Sequence, residues 1–576
     1  MKSRYKRAPI ATAAALIAGA AALPAFAGEP IEFGDDYKFD WRLTGTYTAA
    51  ERMKKPDTVL ASKATDSGAN DGDNNFKKGA LTANRLALLF EGNLSKGSSG
   101  IALSGSTFYD DVYHRGNGNN PAANNPNGVN HAPPFDQFTD EAQTYHGGYS
   151  RILDLYGYST FSLGDTSSAT VRVGNHVVNW GEATFFPNIA YAQAPFDGTK
   201  TGIPGTETKD SVLPERQVST SIAVTPRWTL LGQWQFGFHP TIAPAPGSYL
   251  NSSDAVGPGG NCLGPYTSIP TIAGLFPGFN GCSFGARGAD INPSKTGQWG
   301  LGTRYRVTDE TEVGLYYLDY NDRTPLPEIN AFTAGTPIPA ALQPAFGGIT
   351  QIGNGSYRVR YFDNVKLVGS TFSTVLGKVA VSGELTYKQG APVLVNTVVN
   401  PATHATIPNP TRADYVQANL DAFANIGPSS MWDSLTLLGE ITGIQIGKVQ
   451  AAKAPGVEGL GAAAAFFPAS ETVSFQTKHA LAISGTAVLG YPGVFEGWDL
   501  NVPISYSRQI KGRTLVGGVG GEGDSRYSLG GTFTRRGNFS VGLSYLGFLG
   551  GASTALKRNH LLADRDQLSL VLKYAI

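Results

Sequence analysis

The C-terminal end of the chain alternates between apolar and polar side chains, and this pattern constrains the fold more than any other. Alternation with a period of two is typical of a β-strand with two different faces. A strand that is polar inside and apolar outside is what a transmembrane barrel needs to close its wall. One face carries Leu568, Leu570, Leu572, Tyr574 and Ile576, and the other carries Gln567, Ser569, Lys573 and Ala575, with Val571 as the apolar exception.

The same alternation recurs along the chain and predicts about eighteen strands, within a range of about 16–20. Predicted connections alternate between short turns and long loops, which favours an all-β, antiparallel, up-and-down transmembrane barrel with extracellular loops. A soluble β-sandwich or solenoid would not need that alternation. The predicted strands are Tyr37–Ala49, Leu81–Leu94, Gly100–Tyr109, Arg151–Leu163, Ala169–Val178, Glu215–Val224, Trp228–Phe238, Gln298–Val307, Glu312–Tyr320, Ser356–Thr374, Lys378–Lys388, Asp414–Ala424, Ser434–Ile446, His479–Leu489, Gly497–Arg508, Ser525–Thr534, Phe539–Phe548 and Asp566–Ile576.

Residues 1–27 have the features of a secretory signal peptide. Basic residues precede an Ala-rich apolar run, and Ala25, Phe26 and Ala27 form an A-x-A cleavage site. This order predicts export, with residues 28–576 forming one outer-membrane barrel domain of a Gram-negative bacterium. Gly28, and not a cysteine, stands directly after the predicted cleavage site, which argues against a lipoprotein.

The composition agrees with a barrel and argues against a nucleic-acid partner. No later stretch offers the roughly 20 apolar residues of a spanning helix, and without one a chain crosses a membrane only as a closed barrel. The 45 basic and 45 acidic residues balance. Four of the basic residues lie in the signal peptide, so the mature chain is mildly acidic, which disfavours nucleic acid.

Cys262 and Cys282 are the only cysteines. In an oxidising envelope we predict a local disulfide that staples the largest loop. Metal binding is the weaker interpretation, because two thiols with no nearby His make an incomplete site.

Several predicted loops are much longer than ordinary connections. Loops of such length usually carry function or lack order. One interpretation is surface variation towards the medium, and the other is that at least one loop folds inward and plugs the lumen. We favour Trp180–Pro214 as the inward loop, because its aromatic and proline side chains can pack inside. The four loops are Asp110–Ser150, Trp180–Pro214, His239–Gly297 and Asn321–Gly355.

No motif points to catalysis. Gly518–Gly523 fits G-x-G-x-x-G, but Asp524 leads into another strand instead of a helix, which indicates a loop. The H-E-x-x-H, G-x-S-x-G and paired C-x-x-C patterns are absent, and the eight His residues show no ligand spacing. His176 lies in a predicted strand, where we expect a hydrogen-bonded wall histidine. We therefore predict no enzyme activity, no cofactor and no metal site.

Charged residues on the predicted polar faces form the candidate lumen site. They can pair with one another and fill the interior, or they can line a pathway with local selectivity. No face shows a ladder of Arg or Lys, so a dedicated phosphate or anion porin is not indicated. The candidates are Arg42, Arg85, Arg172, Arg304, Glu384 and Glu440.

The sequence Val171-Arg-Val-Gly-Asn-His-Val-Val-Asn-Trp-Gly-Glu182 resembles the R-x-G-x-Q-x-x-x-W-G-E signature of the proteobacterial family called domain of unknown function 1302. Two departures are that Asn175-His176 stands where the family usually has Gly/Arg-Gln, and that Ile576 stands where such proteins usually end in Phe. Further matching segments, in family order, are Pro195-Phe-Asp197, Pro204-Gly205, Leu213-Pro214, Gly247-Ser-Tyr249, Gly369-Ser-Thr-Phe-Ser373, Val381–Tyr387, Tyr491-Pro-Gly-Val-Phe495 and Asp564-Arg-Asp566.

This resemblance implies an outer-membrane barrel that handles hydrophobic compounds such as sterols, terpenoids or aromatics. It also implies a periplasmic lipoprotein-like partner and an inner-membrane exporter of the resistance-nodulation-division type. Under it, Trp180, Gly181 and Glu182 open the candidate plug loop. Trp180 would stack on an apolar solute or serve as an interface-belt aromatic, and Glu182 would anchor the loop to a wall Arg.

Three functions follow as hypotheses. The first is a channel or conduit for hydrophobic or amphiphilic small molecules, gated by residues 180–213. The second is a non-transporting scaffold or adhesin, and the third is an outer-membrane hydrolase, which needs a Ser/His/acid cluster. Expected partners are outer-membrane lipid, the solute, and the barrel-assembly machinery, for which Tyr574 and Ile576 form the signal.

Overall fold

Eighteen antiparallel strands close into one barrel in the computed structural model. Each strand pairs with the next along the chain, and β1 also pairs with β18, with Thr44 opposite Ala575 and Arg52 opposite Gln567. The predicted all-β, up-and-down barrel with an even number of strands is confirmed. Strands β1–β18 are Tyr37–Arg52, Leu81–Lys96, Ser99–Asp110, Gly148–Ser162, Ser168–His176, Glu215–Thr225, Trp228–Gln235, Gln298–Arg306, Glu312–Tyr320, Val365–Leu376, Val379–Asn400, Ala405–Ile426, Ser434–Val449, His479–Phe495, Trp498–Lys511, Ser525–Arg535, Phe539–Leu549 and Gln567–Ala575.

The structure describes residues 28–576 apart from several short stretches. The predicted signal peptide, residues 1–27, and part of Gly518–Gly523 lie outside the described residues. The other residues not described are 35, 62–67, 120–133, 264–281, 283–284, 333–335, 338–339, 342–350, 353–354, 515–519 and 536.

Connections of different length lie at the two ends of the barrel. The links from β1 to β2, β3 to β4 and so on meet at one end, called the loop end, and include all four loops predicted to be long. The links from β2 to β3, β4 to β5 and so on are at most seven residues long and lie at the other end, called the turn end. Ile576 also lies at the turn end, where its N–H and C=O both bond to Leu43.

One predicted strand was wrong in extent. The segment Ser356–Thr374 divides into Ser356–Arg360, which leaves the barrel, and β10, which begins at Val365. Ser356–Arg360 pairs with Gly285–Arg287 and Leu326–Asn330 in a small separate sheet above the loop end. The strand count is unchanged, because only β10 belongs to the wall.

The hairpin of β11 and β12 is longer than predicted. Its strands continue past Lys388 and before Asp414 to a tip at residues 401–404, beyond the predicted loop boundary. A register shift at Lys388/Ala391 marks the point where the hairpin leaves the wall. Neighbouring loops cover this extension, since Val395 pairs with Val473 and Ile329 N donates to Asn409 Oδ1 at 2.6 Å.

Strand faces alternate as the sequence predicts. On β18, Gln567 and Ser569 are buried while Leu570 and Tyr574 are exposed. The exposed members of many strands are large and apolar, and the buried members are mostly polar. The outside of the barrel therefore carries a band of apolar side chains. None of the described helices is long and apolar enough to span a membrane.

Cys262 and Cys282 form the predicted disulfide in the loop between β7 and β8. Cys262–Leu263 pairs with Gly285–Arg287, so the bond sits at one edge of the small sheet at the loop end. A buried ion cluster ties three loops to the end of β1: Arg52 lies 3.1 Å from Asp73, Arg565 lies 2.7 Å from the same carboxylate, and Arg565 also donates to the carbonyl of Tyr249.

Candidate functional site

The connection between β5 and β6, residues 177–214, is called the inward segment because it bonds to the inner faces of distant strands. Thr48 on β1 donates to the carbonyl of Pro204 at 2.9 Å. Across the barrel, the Arg304 guanidinium on β8 donates to the carbonyl of Trp180 at 2.7 Å. A segment held by β1 and β8 together lies within the ring of strands.

Two wall carboxylates hold the first part of the inward segment. Glu384 on β11 and Glu440 on β13 are 3% and 4% exposed. Backbone N–H groups satisfy them, and such charge-assisted bonds are about twice as strong as neutral ones. Glu384 accepts from Glu182, Ala183 at 2.7 Å, Ile189 at 2.6 Å and Ala190, and Glu440 accepts from Thr184 at 3.0 Å, Phe185 and Phe186 at 3.3 Å.

Uncharged side chains on neighbouring strands extend this attachment. Asn188 accepts from Thr386 Oγ1 at 2.6 Å and donates to Asn419 Oδ1 at 3.1 Å. Gln417 Nε2 donates to the carbonyl of Pro187 at 3.0 Å. Strands β11–β13 thus form a polar wall that binds residues 182–190 mainly through their main chain.

Trp180 is packed into the wall, which differs from both sequence-based interpretations. It is 7% exposed and its ring centroid lies 6.1 Å from that of Tyr316. Ile189 and Leu367 belong to the same buried cluster. Trp180 is therefore neither an interface-belt aromatic nor open for stacking on a solute, and it acts as an apolar anchor for the start of the inward segment.

Gly181 and Glu182 contribute main-chain groups and not the predicted side-chain anchor. A Cβ on Gly181 would lie 2.1 Å from both Ala190 N and Glu384 Oε1, so only glycine fits there. The Arg304 guanidinium attracts the Glu182 carboxylate without an ion pair within 4.0 Å. The prediction placed the carboxylate on the loop and the cation on the wall. In the structure the carboxylates belong to the wall and accept hydrogen bonds from N–H groups of the loop.

A charged cluster holds the second part of the inward segment near the loop ends of β3 and β4. Lys200 Nζ lies 3.1 Å from Asp210, and Arg151 on β4 lies 2.7 Å from Asp197 and 2.9 Å from Asp210. Burial, together with the nearby Arg85, lowers the pKa of Lys200 to about 7 despite the attraction of Asp210. Burial would raise the pKa of Asp210, but Lys200 and Arg151 outweigh it and hold that pKa below its ordinary value.

Arg85 is buried in the same cluster and stacks on an aromatic ring. Its guanidinium carbon lies 3.5 Å from the centroid of Phe108, and Lys200 Nζ lies 3.9 Å from the same ring. Arg85 therefore helps to pack the cluster. This agrees with the interpretation that charged residues on the predicted polar faces fill the interior of the barrel.

A cavity of about 1160 Å³ lies between the inward segment and the wall of β15–β18. Eight residues along a strand correspond to about 26 Å, so the cavity follows most of the length of β16 and β17. Its wall side includes Arg526, Ser528, Gly530, Thr532 and Thr534 on β16 and Ser540, Gly542, Ser544, Leu546 and Phe548 on β17, and its segment side includes Pro187, Asn188, Tyr191, Ala192, Ala194, Phe196, Thr201, Pro204, Thr206, Glu207 and Thr208.

The two remaining candidates lie in different cavities. Arg42, near the turn end of β1, lines the large cavity. Arg172 on β5 lines a separate cavity of about 260 Å³ behind the inward segment, with its guanidinium carbon 5.9 Å from the centroid of Tyr156. Within the described part of the chain, neither guanidinium has a hydrogen-bond or ion-pair partner.

A serine and a histidine meet in the wall beside the smaller cavity. His176 Nε2 lies 2.7 Å from Ser219 Oγ, and His176 Nδ1 lies 3.0 Å from the carbonyl of Gly174. No carboxylate hydrogen-bonds the ring among the described residues, so the third member of a catalytic triad is not in place. His176 is 1% exposed and hydrogen-bonded at both nitrogens, as expected for a wall histidine.

The structure thus brings Arg304, Glu384, Glu440 and the Trp180–Glu182 turn into one attachment site, and separates Arg42, Arg85 and Arg172 from it. Sequence reasoning missed the amide side chains of Gln417 and Asn419. Their alternation with apolar residues on β12 places them on the polar face, but nothing in the sequence indicates that they bind the inward segment.

Comparisons with known proteins identify one protein family and several solved structures that are similar to this chain. A family model described as "Protein of unknown function (DUF1302)" matches residues 8–576. No curated protein matches the chain. Similar solved structures include OccAB1 of Acinetobacter baumannii, at 10% identity, with 93% of this chain and 96% of that chain covered and a TM-score of 0.41.

Two further solved structures have comparable scores. The outer membrane protein opdK of Pseudomonas aeruginosa is 10% identical, with 94% of this chain and 98% of that chain covered and a TM-score of 0.39. OccK2 (OpdF) of Pseudomonas aeruginosa, in complex with glucuronate, is 10% identical, with 93% and 98% covered and a TM-score of 0.39. At this level of similarity nothing about function is carried over from these proteins.

Proposed function

From the premise that this chain belongs to the DUF1302 family, we propose that it is an outer-membrane channel for hydrophobic or amphiphilic small molecules, narrowed by residues 180–213 of the inward segment. The observation that carries the proposal is the cavity along β16 and β17. It lies inside a closed barrel and follows the tilted strands for about 26 Å, which corresponds to about 20 Å along the barrel axis and thus to most of the roughly 25 Å apolar band of outer-membrane barrels.

The outer surface supports a membrane location. Leu315 on β9, Leu301 on β8 and Leu543 on β17 are all more than half exposed. In water, a continuous band of such side chains would favour aggregation. In a bilayer, lipid covers the band, and outer-membrane lipid is then the first partner of the protein.

The inward segment supports a constriction, because it is held from well-separated strands of the ring: Thr48 on β1 bonds to Pro204, and Arg304 on β8 bonds to Trp180. The Glu384 and Glu440 carboxylates on β11 and β13 hold residues 182–190. Breaking the hydrogen bonds to those carboxylates would free the first part of the segment without removing a wall strand. We therefore assign the gate to this attachment and the pathway to the cavity beside it.

The cavity is lined by both polar and apolar groups, a mixture that suits an amphiphile. Hydroxyl groups include those of Ser528, Thr532 and Thr206, and large apolar side chains include Phe196 and Phe548. Small-molecule sites are mostly apolar with a few placed polar groups. Sterol-, terpenoid-, aromatic- and lipid-like compounds have that balance.

The partners that we propose are those that the family resemblance implies. The turn end would face the periplasm, where a lipoprotein-like partner and an inner-membrane exporter would deliver or receive the solute. The barrel-assembly machinery would recognise the C-terminal strand at Tyr574 and Ile576.

The decisive experiment measures single-channel conductance in planar bilayers. A variant with residues 183–213 replaced by a short Gly/Ser linker should conduct several-fold more current, because the constriction is gone. The double variant Glu384→Gln/Glu440→Gln should give unstable, intermediate conductance, because a neutral amide loses charge-assisted bonds to the seven N–H groups.

Glu496→Gln, in the exposed turn between β14 and β15, is the matched control and should behave as the wild type. Equal conductance and equal solute uptake in the deletion variant and the wild type would refute the gating role. A folded wild type that never conducts would favour the scaffold or adhesin function instead.

A further inference from the structure

We propose that the cargo is an amphiphile with an anionic head group, such as a carboxylate or sulfonate, which the two guanidinium groups of Arg526 and Arg42 receive in turn. This inference rests on the proposed channel function and names its substrate class. It starts from the charges around the large cavity, where basic residues outnumber acidic ones. The basic residues are Arg42, Arg323, Lys388, Arg513, Arg526 and Lys573, and the acidic residues are Glu207, Asp322 and Asp524.

Backbone groups of the protein already satisfy two of the three carboxylates. Asp322 Oδ1 accepts from Thr324 N at 2.8 Å, and Asp524 Oδ2 accepts from Gly520 N at 2.7 Å. The third, Glu207, forms an ion pair with Lys573. These acids therefore offer little to a cationic ligand.

Four of the six cations also have partners within the protein. These four cations already form ion pairs or hydrogen bonds with carboxylate, amide or carbonyl oxygens, so they add little attraction for a passing solute. The pairs are Lys573 with Glu207, Arg323 with Glu215 at 3.1 Å, Lys388 with Gln417 at 3.0 Å, and Arg513 with the carbonyl of Leu556 at 3.0 Å.

Arg526 and Arg42 are different, because the described part of the chain gives neither of them a hydrogen bond or an ion pair. Arg526 lies over the ring of Phe548 at 6.0 Å and is attracted by Asp524 without an ion pair within 4.0 Å. Arg42 Nε is buried without a partner. A half-buried guanidinium without an oxygen partner readily binds a carboxylate or sulfonate, often with two hydrogen bonds.

The positions of the two arginines fit the ends of one path. Arg526 is the second residue of β16, at the loop end, and Arg42 lies near the turn end of β1. Between them the wall side of the cavity carries Ser528, Thr532 and Ser544. Hydroxyl groups can donate to an anionic head along the way, while the apolar body of the same molecule lies against apolar lining residues such as Phe196 and Leu546.

The test measures the reversal potential of the purified protein in planar bilayers under a KCl gradient. The wild type should prefer anions. The double variant Arg42→Gln/Arg526→Gln should lower the anion-to-cation permeability ratio by about sixfold for each charge removed, because one charge about 8 Å away in water favours an anion and disfavours a cation by about 2.4-fold each. In vesicles, the wild type should pass hexanoate faster than hexylammonium, and the double variant should lose that difference.

Arg172→Gln is the matched control, because it removes an unpartnered guanidinium from the smaller cavity outside this path. It should change the permeability ratio much less. A conducting wild type without anion preference, or an equal loss in Arg172→Gln, would overturn the inference while leaving the channel function intact. A wild type that does not conduct at all would instead refute the channel function itself.

Discussion

Glu384 and Glu440 hold the inward segment by its main chain, and this explains much about the site at the scale of single residues. Burying a carboxylate is costly unless hydrogen bonds compensate for lost water. Here backbone N–H groups of residues 182–190 provide that compensation. Because backbone amides are present in every sequence, the partner of each glutamate leaves no signature in the inward segment beyond the small Gly181.

Lys200 should make stability depend on pH. Its pKa is about 7 in the fold against 10.5 for an ordinary lysine, so between these values the unfolded chain binds more protons and stability rises with pH. Below about pH 7 both states are protonated and no further change arises from this group. We expect a higher urea midpoint at about pH 9.5 than at about pH 7 for the detergent-folded barrel, read by tryptophan fluorescence.

Lys200→Met is the control for this dependence. It keeps the aliphatic stem and removes the titrating group, while Arg151 and Ser106 still bond to Asp210. The rise in midpoint between the two pH values should shrink in this variant. An unchanged rise would assign the dependence to other groups.

At the scale of elements, connections of very different character join strands of one barrel. The inward segment folds back between strands, whereas the β11–β12 hairpin extends away from the barrel as regular sheet. The small sheet above the loop end unites the loops between β7 and β8 and between β9 and β10. Elements at the loop end thus stabilise one another, while short turns close the turn end.

The disulfide between Cys262 and Cys282 belongs to the loop-end sheet and not to the wall. The double variant Cys262→Ser/Cys282→Ser should therefore still assemble, as judged by the heat-dependent shift of the barrel on SDS gels. Proteinase K should cleave the loop of residues 236–297 faster, because a disulfide restricts local opening by about 2–4 kcal/mol.

Treating the wild type with a reductant provides the matched comparison. It should raise the cleavage rate of the wild type to that of the double variant and leave the variant unchanged. Loss of the gel shift in the double variant would contradict a role confined to the loop end.

At the scale of the whole molecule, the apolar band outside and the polar faces inside reverse the arrangement of a soluble barrel. Leu543 on β17 is 54% exposed and Leu556 in the loop before β18 is 60% exposed. If lipid covers the wall, only the first of these positions lies in hydrocarbon. The two leucines therefore form a matched pair for testing the membrane location.

Leu543→Arg should destabilise the barrel in lipid vesicles by about 2–4 kcal/mol, the cost of an arginine near the bilayer midplane. Leu556→Arg should change stability by less than about 0.5 kcal/mol, as surface substitutions usually do. Urea unfolding of both variants in vesicles measures the difference. Equal effects would argue against a lipid-covered wall at Leu543.

The sequence alone determined the barrel, because its evidence is local. Alternation places side chains on two faces of each strand whatever the partner strand is, and turn residues mark the strand ends. The strand count, the alternating connection lengths and the disulfide of Cys262 with Cys282 follow from such signals. The error at Ser356–Thr374 arose because pairing with the small sheet or with the wall gives the same local pattern.

Only the tertiary structure decided the contents of the lumen. The cationic residues that line the large cavity are spread along the chain from Arg42 to Lys573. No single strand therefore carries a row of Arg or Lys that the sequence would reveal. Trp180 became a buried anchor because the cluster of Tyr316 and Leu367, distant in the chain, surrounds it. Charge pairing, main-chain attachment and cavity shape all depend on which inner faces meet across the barrel, and that is a property of closure and not of any single strand.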